Sequence, residues 1–156
     1  MIWDEEIAQK AANWAEQNKF QHNPDISLPS KRFETGENLY LHRSTDPKFV
    51  LNLDVSIQEW FDEHKNYRYK KLEFSDFQSS KVIGHYTQMV WADTMYIGCA
   101  VSQYQDGKWN SILVVCNYAP RGNKLDDHPY DTQGRRTNGL LCNLSNCNGI
   151  YGKSCS

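Results

Sequence analysis

The chain has 156 residues, a formal charge of −2, and 39% hydrophobic and 13% aromatic residues, a composition that suits one domain able to bury about 70% of the surface its unfolded form exposes. A pI of about 6.2 excludes the basic footprint that a nucleic-acid partner requires. The longest uncharged apolar run, ILVVC at 112–116, falls far short of the roughly 20 residues that cross a bilayer, which excludes a transmembrane helix.

From the N-terminus, MIWDEEIAQKAA lacks the basic head, apolar centre and cleavage site of a secretory signal, as a mature secreted chain would. Trp3, Ile7, Ala11 and Trp14 recur at helical spacing with acidic and amide side chains opposite, predicting an amphipathic helix under way by residue 3. No capping residue stands before it, so the helix is expected to continue upstream of Met1. Prolines and turn-forming residues in HNPDISLPSKRFETG predict a loop, and ENLYLH reads as a short strand. A second helix is expected across DPKFVLNLDVSIQEWFDEHKNY, opened by Asp-Pro, with Val50, Leu53, Ile57, Trp60 and His64 on its apolar stripe. The segment RYKKLEFSDFQSSK is an aperiodic loop with unusual aromatic content in Tyr69, Phe74 and Phe77. A short third helix fits HYTQMVWAD, with Tyr86, Met89 and Val90 packed on one face.

MYIGCAVSQY and WNSILVVCNYA flank QDGK, a hairpin signal. A two-residue turn at Asp106-Gly107 would leave Cys99 diagonal to Cys116, too far for a bridge whose β-carbons lie about 3.5–4.5 Å apart. A four-residue turn over 106–109 sets the two cysteines directly opposite, and that register with a Cys99–Cys116 disulfide is the expectation. Apolar residues at both parities of ILVVC require cover on both sheet faces. The fold class expected is therefore α+β, a three-layer α-β-α sandwich with a mostly antiparallel central sheet.

Beyond the sandwich, residues 124–156 read as a loop-rich extension. Cys99, Cys116, Cys142, Cys147 and Cys155 lack the paired spacing of a zinc site and read as disulfide cysteines of an oxidising compartment. Their odd count leaves one free thiol or a partner outside this sequence. Asn143-Leu144-Ser145 matches a glycosylation sequon.

Among the histidines, His64 falls on a helix stripe and reads as partly buried, while His42 and His128 read as surface residues. His22, Glu37, Glu63 and His85 each stand at the boundary of a regular element, where a polar group can point across an end of the sandwich. Two imidazoles and two carboxylates in one cleft would supply neutral nitrogen ligands, oriented by the carboxylates, for a borderline metal such as zinc. The same set could serve as a general base with its orienter. Spacing alone does not select these four.

FQHN (20–23), GENLY (36–40), WFDEHKNY (60–67), GHYTQMVW (84–91) and VVCNYAPRGN (114–123) together resemble the signature segments of the CAP superfamily of cysteine-rich secretory, antigen 5 (venom-allergen-like) and pathogenesis-related proteins. The matches follow the family's order and imply a single CAP domain over 1–123, entered late in its first helix and lacking its natural N-terminal segment. They imply the same α-β-α fold, a secreted, extracellular protein, and a cleft tetrad of His22, Glu37, Glu63 and His85. Within that tetrad the resemblance makes His22 and His85 the metal ligands of a divalent cation, zinc first. Asn18 and Thr35 stand where many members have cysteines, and the later partner positions lack them as well. Residues 124–156 resemble a short hinge with Cys142–Cys147 paired, too short for the cysteine-rich domain through which some venom relatives block ion channels.

The resemblance implies a non-catalytic binding module for a sterol, fatty acid or related lipid, with Tyr67, Tyr69, Phe74 and Phe77 as candidate lining. The rival role for these four is anchoring the loop to the core. A second function class is a metal-dependent, protease-like hydrolase with His85 or Glu63 as base. A third is a venom, saliva or defence protein that acts on a host or receptor protein.

Overall fold

The computed structural model describes residues 1–46 and 48–132. Four strands, β1 (Ile2–Trp3), β2 (Gly36–Ser44), β3 (Tyr96–Asp106) and β4 (Trp109–Ala119), form one sheet in the order β1-β3-β4-β2. β1 runs parallel to β3 and the other pairings are antiparallel, so the sheet is mixed. Helices α1 (Glu5–Ala15), α2 (Leu53–Asp62) and α3 (Gly84–Met89) complete the sandwich.

Alternation along β4 builds the two inner layers. Leu113 and Val115 face α1, where they pack with Ala11, Ala15 and Leu39. Val114, Cys116 and Tyr118 face the other way, onto Trp60 of α2 and Met89 of α3. Both sheet faces are covered, as the double parity of ILVVC required.

The hairpin takes the register argued from the cysteines, with Cys99 opposite Cys116 and the disulfide between them formed. Its turn is shorter than expected. Asp106 still pairs with Trp109, leaving Gly107-Lys108 as a two-residue loop. Gly107 has φ 59°, the left-handed value that the first central position of a type II′ turn requires.

Three helix expectations are corrected. α1 starts at Glu5 and not before, because the Asp4 side chain accepts the Ile7 N–H at 3.1 Å while Glu5 and Glu6 complement the helix dipole. Ile2 and Trp3 are instead strand, hydrogen-bonded to β3, so the helical spacing of Trp3 is coincidental. α2 opens at Leu53, capped by Asn52, whose side chain accepts the Asp54 N–H, and not at Asp46. It turns Ser56 and Trp60 inward, leaving Val50, Leu53 and Ile57 of the expected stripe exposed. In α3 the fully buried side chains are Thr87 and Gln88, while Tyr86, Met89 and Val90 are half-buried.

The loop after α2 sits on its own apolar floor of Leu72, Ile83 and Trp91. Backbone bonds from Leu72 N to Asp127 O at 2.9 Å and from Asp126 N to Leu72 O at 2.8 Å tie it to residues 126–127. Pro129 beyond them is buried. Cys142, Cys147, Cys155 and the sequon lie outside the described residues.

Candidate functional site

The N-terminal end of β2 carries one half of the site. α1 ends at Ala15, and Asn18, with φ 55°, turns the chain back. Trp14 Nε1 then donates to Gln21 O at 2.8 Å, fixing the backbone beside His22. His22 Nδ1 donates to Glu37 Oε1 at 2.9 Å. The same oxygen accepts the Asn23 N–H at 3.0 Å, and Glu37 Oε2 accepts from Asn117 Nδ2 at 3.1 Å. Asn117 faces Glu37 because β2 and β4 are paired in that register. The Glu37 side chain is 8% exposed and that of His22 65%.

The second half joins the end of α2 to the start of α3. Glu63 Oε2 accepts the backbone N–H groups of His85 at 2.9 Å and Tyr86 at 3.1 Å, while Oε1 accepts His85 Nδ1–H at 2.5 Å. No local side chain caps α3, so a residue 22 positions upstream satisfies two of its orphan N–H groups. The His85 ring stacks on Trp60, with centroids 5.9 Å apart and planes inclined by 20°.

Asn38 connects the halves. It follows Glu37 on β2, is 1% exposed, and donates from Nδ2 to His85 O and Tyr118 Oη, each at 3.2 Å. Burial pushes the Tyr118 phenol well above its ordinary range, and burial aided by a hydrogen bond to Tyr130 takes Tyr86 up to about 12. Both phenols therefore stay protonated. Asn38 Oδ1 and Asn117 Oδ1 are buried without a partner among the described residues. Each such atom costs about 1–3 kcal/mol, a cost accepted in orienting an amide toward the groups that frame the two histidines.

The tetrad residues thus form two His–Glu pairs, His22–Glu37 and His85–Glu63, linked through β2, where Asn38 follows Glu37 and bonds to His85 O. A carboxylate only accepts, so each imidazole carries a proton on Nδ1 and, in its neutral form, has its lone pair on Nε2. This is the orientation of metal-ligating histidines held by carboxylates. Among the described residues no group of three or more His, Cys, Asp or Glu is arranged to hold a metal ion. In each pair the carboxylate engages Nδ1, which leaves Nε2 as the outer ring nitrogen.

The remaining candidates divide. Tyr67 donates its hydroxyl to Lys70 O at 2.9 Å, and Tyr69 donates to Tyr130 O at 2.8 Å and stacks on His128 with centroids 4.8 Å apart. These two anchor the loop. Phe74 and Phe77, on a 3-10 helix over Phe74–Gln78, are 65% and 41% exposed. His64 is exposed, not partly buried, because the last turn of α2 tightens to a 3-10 helix and its Nδ1 bonds to Phe61 O at 2.8 Å. His42 and His128 are half-buried by stacking on Phe49 and Tyr69. Asn38, Asn117 and Trp60 are the site residues that sequence reasoning missed. GENLY and VVCNYAP contained the two asparagines, and the β2–β4 register was the signal that could have placed them.

Thr35, at a position where the resemblance implied a cysteine in many members, is 3% exposed and donates from both its amide and its hydroxyl to Ile26 O. Among the described residues no helix is long and apolar enough to cross a membrane.

The family model for the cysteine-rich secretory protein family, CAP, matches residues 1–118. Venom allergen 5 of Vespula maculifrons is 38% identical over 133 residues, covering 85% of this chain and 56% of that protein. GLIPR1-like protein 1 of Bos taurus is 40% identical over 159 residues, covering 96% and 57%. The chain thus spans somewhat over half the length of these relatives. Among solved structures, NaASP2 with Zn2+ is 33% identical with a TM-score of 0.65, covering 84% of this chain and 65% of that one. Schistosoma mansoni venom allergen-like protein 4 is 31% identical with a TM-score of 0.59, covering 83% and 72%. On this match, with the α-β-α sandwich and paired histidines and glutamates already described, the chain belongs to the cysteine-rich secretory protein (CAP) family.

Proposed function

We propose that this CAP domain is a secreted, non-catalytic binding module for a hydrophobic small molecule, a sterol, fatty acid or related lipid. The carrying observation is the pair Phe74 and Phe77. Residues three apart eclipse on a 3-10 helix, so both rings stand on one side of it, open to solvent. The loop beneath is held by Tyr67, Tyr69 and the Leu72 backbone, so the rings are presented without being free to collapse. Aromatic faces accept flat or elongated apolar molecules without exact polar matching. Labelled cholesterol and palmitate should bind saturably, and Phe74→Ala or Phe77→Ala should weaken binding by about tenfold or more, the equivalent of about 1.4 kcal/mol. Unchanged affinity in the variant lacking both rings would overturn the reading.

The His–Glu pairs support a second, compatible role, a divalent cation held by Nε2 of His22 and His85, with zinc the first candidate. NaASP2, solved with Zn2+, is a relative that fits this reading. Protonated imidazole cannot coordinate, so zinc affinity measured by calorimetry should fall between pH 7 and pH 5, and an affinity indifferent to pH would remove the histidines as ligands. A hydrolase using His85 is the alternative. In that alternative Glu63, which accepts the Nδ1–H of His85 and two backbone N–H groups, would orient His85. Chelator-sensitive hydrolysis abolished by His85→Ala would favour that alternative, and failure of both lipid binding and hydrolysis would favour a host-protein ligand.

A further inference from the structure

We propose that the pocket between the aromatic loop and the start of α3 binds a small phosphate or sulfate monoester. The pocket, of about 400 Å³, lies within the roughly 300–1,000 Å³ typical of small-molecule sites. Among the described residues its wall carries three cations, Arg68, Lys70 and Lys81, against a single acid, Asp76. Its lining includes none of His22, Glu37, Glu63, His85, Phe74 or Phe77.

The charges do not cancel. Asp76 is fully committed: Oδ1 pairs with Lys70 Nζ at 2.8 Å and Oδ2 accepts the Glu73 N–H at 2.8 Å. Glu73 is a second, longer partner of the same lysine at 3.8 Å. Among the described residues no carboxylate pairs with the side chain of Arg68 or Lys81. Among the described residues, two positive charges therefore line one cavity without a carboxylate partner.

The other lining groups suit an oxyanion carried on a small ring. Ser79 Oγ accepts the Lys81 N–H at 3.1 Å and keeps its own O–H to donate. Tyr67 and the buried Ile83 give an apolar wall for the carbon skeleton. Asn66 Nδ2 donates to Val82 O at 3.1 Å, joining the two ends of the loop, and the Lys70–Asp76 pair braces its middle. A wall held in this way loses little freedom when a ligand arrives. A tetrahedral anion can take the planar fork of Arg68, the point charge of Lys81 and the Ser79 hydroxyl together, a combination suited to phosphate or sulfate.

The test is calorimetry at low ionic strength with glucose 6-phosphate and glucose 6-sulfate, beside sedimentation with phosphatidylcholine vesicles with and without phosphatidylinositol 4-phosphate. The double variant Arg68→Gln, Lys81→Gln should lose at least about tenfold in affinity, the loss of one charge-assisted hydrogen bond or more. Lys19→Gln with Lys48→Gln removes the same charge from exposed positions elsewhere and should change nothing, as should Phe74→Ala, which separates this site from the lipid surface. Vesicle capture lost in the pocket variant alongside monoester binding would make a lipid headgroup one carrier of the anion. Absence of monoester binding by the wild type, equal loss in both double variants, or vesicle capture that ignores Arg68 and Lys81 would each overturn the proposal.

Discussion

Replacing Gly98 with alanine should destabilise the sandwich by an amount set by how closely α1 lies on β3. A β-carbon on Gly98 would stand 2.1 Å from Ala8 N, 2.6 Å from Ile7 C and 2.7 Å from Ala8 Cα. All three are backbone atoms of α1, so no rotamer change relieves the overlap. Carbon contacts need about 3.5–4.0 Å, which requires the helix to retreat by about 1 Å. Eleven residues make α1 about 16 Å long and, with side chains, about 10 Å wide. A uniform retreat opens about 160 Å³, and at about 24 cal/mol per Å³ that costs about 4 kcal/mol; tilting away from one end halves it to about 2 kcal/mol. At about 2–4 °C per kcal/mol for a domain of this size, the expected fall in Tm is roughly 4–16 °C. Calorimetric melting with the disulfide intact reads this directly. Gly107→Ala is the control, since its β-carbon meets nothing within 4 Å and only its φ of 59° is strained, worth about 1 kcal/mol. A Gly98→Ala melt within roughly 1 °C of wild type would refute the claim that backbone contact sets the spacing of this layer.

Arg32 reaches Asp4 at 2.6 Å and Glu6 at 2.8 Å. Its hydrogen bond is the main cause holding Asp4 below its ordinary 3.8, while Ser30 chiefly, with Arg32, holds Glu6 below 4.5. Carboxyls lowered in the folded state stabilise it above those ordinary values and lose that contribution as pH falls through the folded ones. Arg32→Gln should therefore lower Tm at pH 7, with the difference from wild type shrinking below pH 4.5. Gln88, 2% exposed, accepts the Gly122 N–H at 2.9 Å and donates to Thr94 Oγ1 at 3.2 Å, so Gln88→Leu should cost about 1–3 kcal/mol for each group orphaned, read by urea unfolding. Asn117→Leu removes a donor to the Glu37 carboxylate and should cost about 1.5–3 kcal/mol in the same assay. Glu63→Gln keeps shape and can still accept the two α3 N–H groups, but its NH2 then faces His85 Nδ1 and drives the ring proton to Nε2. Imidazole nitrogen NMR shifts should report that tautomer, and zinc affinity should fall by about 10–100-fold with little change in Tm.

The sheet was legible because its cues are local. Asp-Gly marked the hairpin, the two cysteines fixed its register, and the double parity of ILVVC demanded layers on both faces. The ends of helices were not. Trp3 has helical spacing but serves in β1, since a parallel partner at Tyr96 and Ile97 cannot be seen from a stretch of two residues. Val50, Leu53 and Ile57 form a stripe on paper, yet α2 buries only Ser56 and Trp60, because Asn52 sets where the helix begins and hence which residues face inward. The tetrad was found by motif resemblance, and spacing would not have selected it. What joins it, Asn38 to His85 across 47 positions and Asn117 to Glu37 across 80, depends on strand register and lies beyond any local pattern.

The two halves of the cleft reach one construction by different routes. Each glutamate accepts one imidazole N–H and two amide N–H groups, from Asn23 and Asn117 at Glu37 and from the first turn of α3 at Glu63. Withdrawing either carboxylate toward a ligand would orphan those amides, so under the proposed cation reading the glutamates would stay as supports and the outer nitrogens of His22 and His85 would be the donors. Those two nitrogens are not equivalent. The His22 side chain is 65% exposed, whereas that of His85 is 27% exposed with its ring laid on Trp60. Under that reading His85 would be the fixed donor and His22 the accessible one, so an incoming cation would meet His22 first. Loss of His85 should accordingly cost more affinity than loss of His22, although His22 is the more exposed of the two.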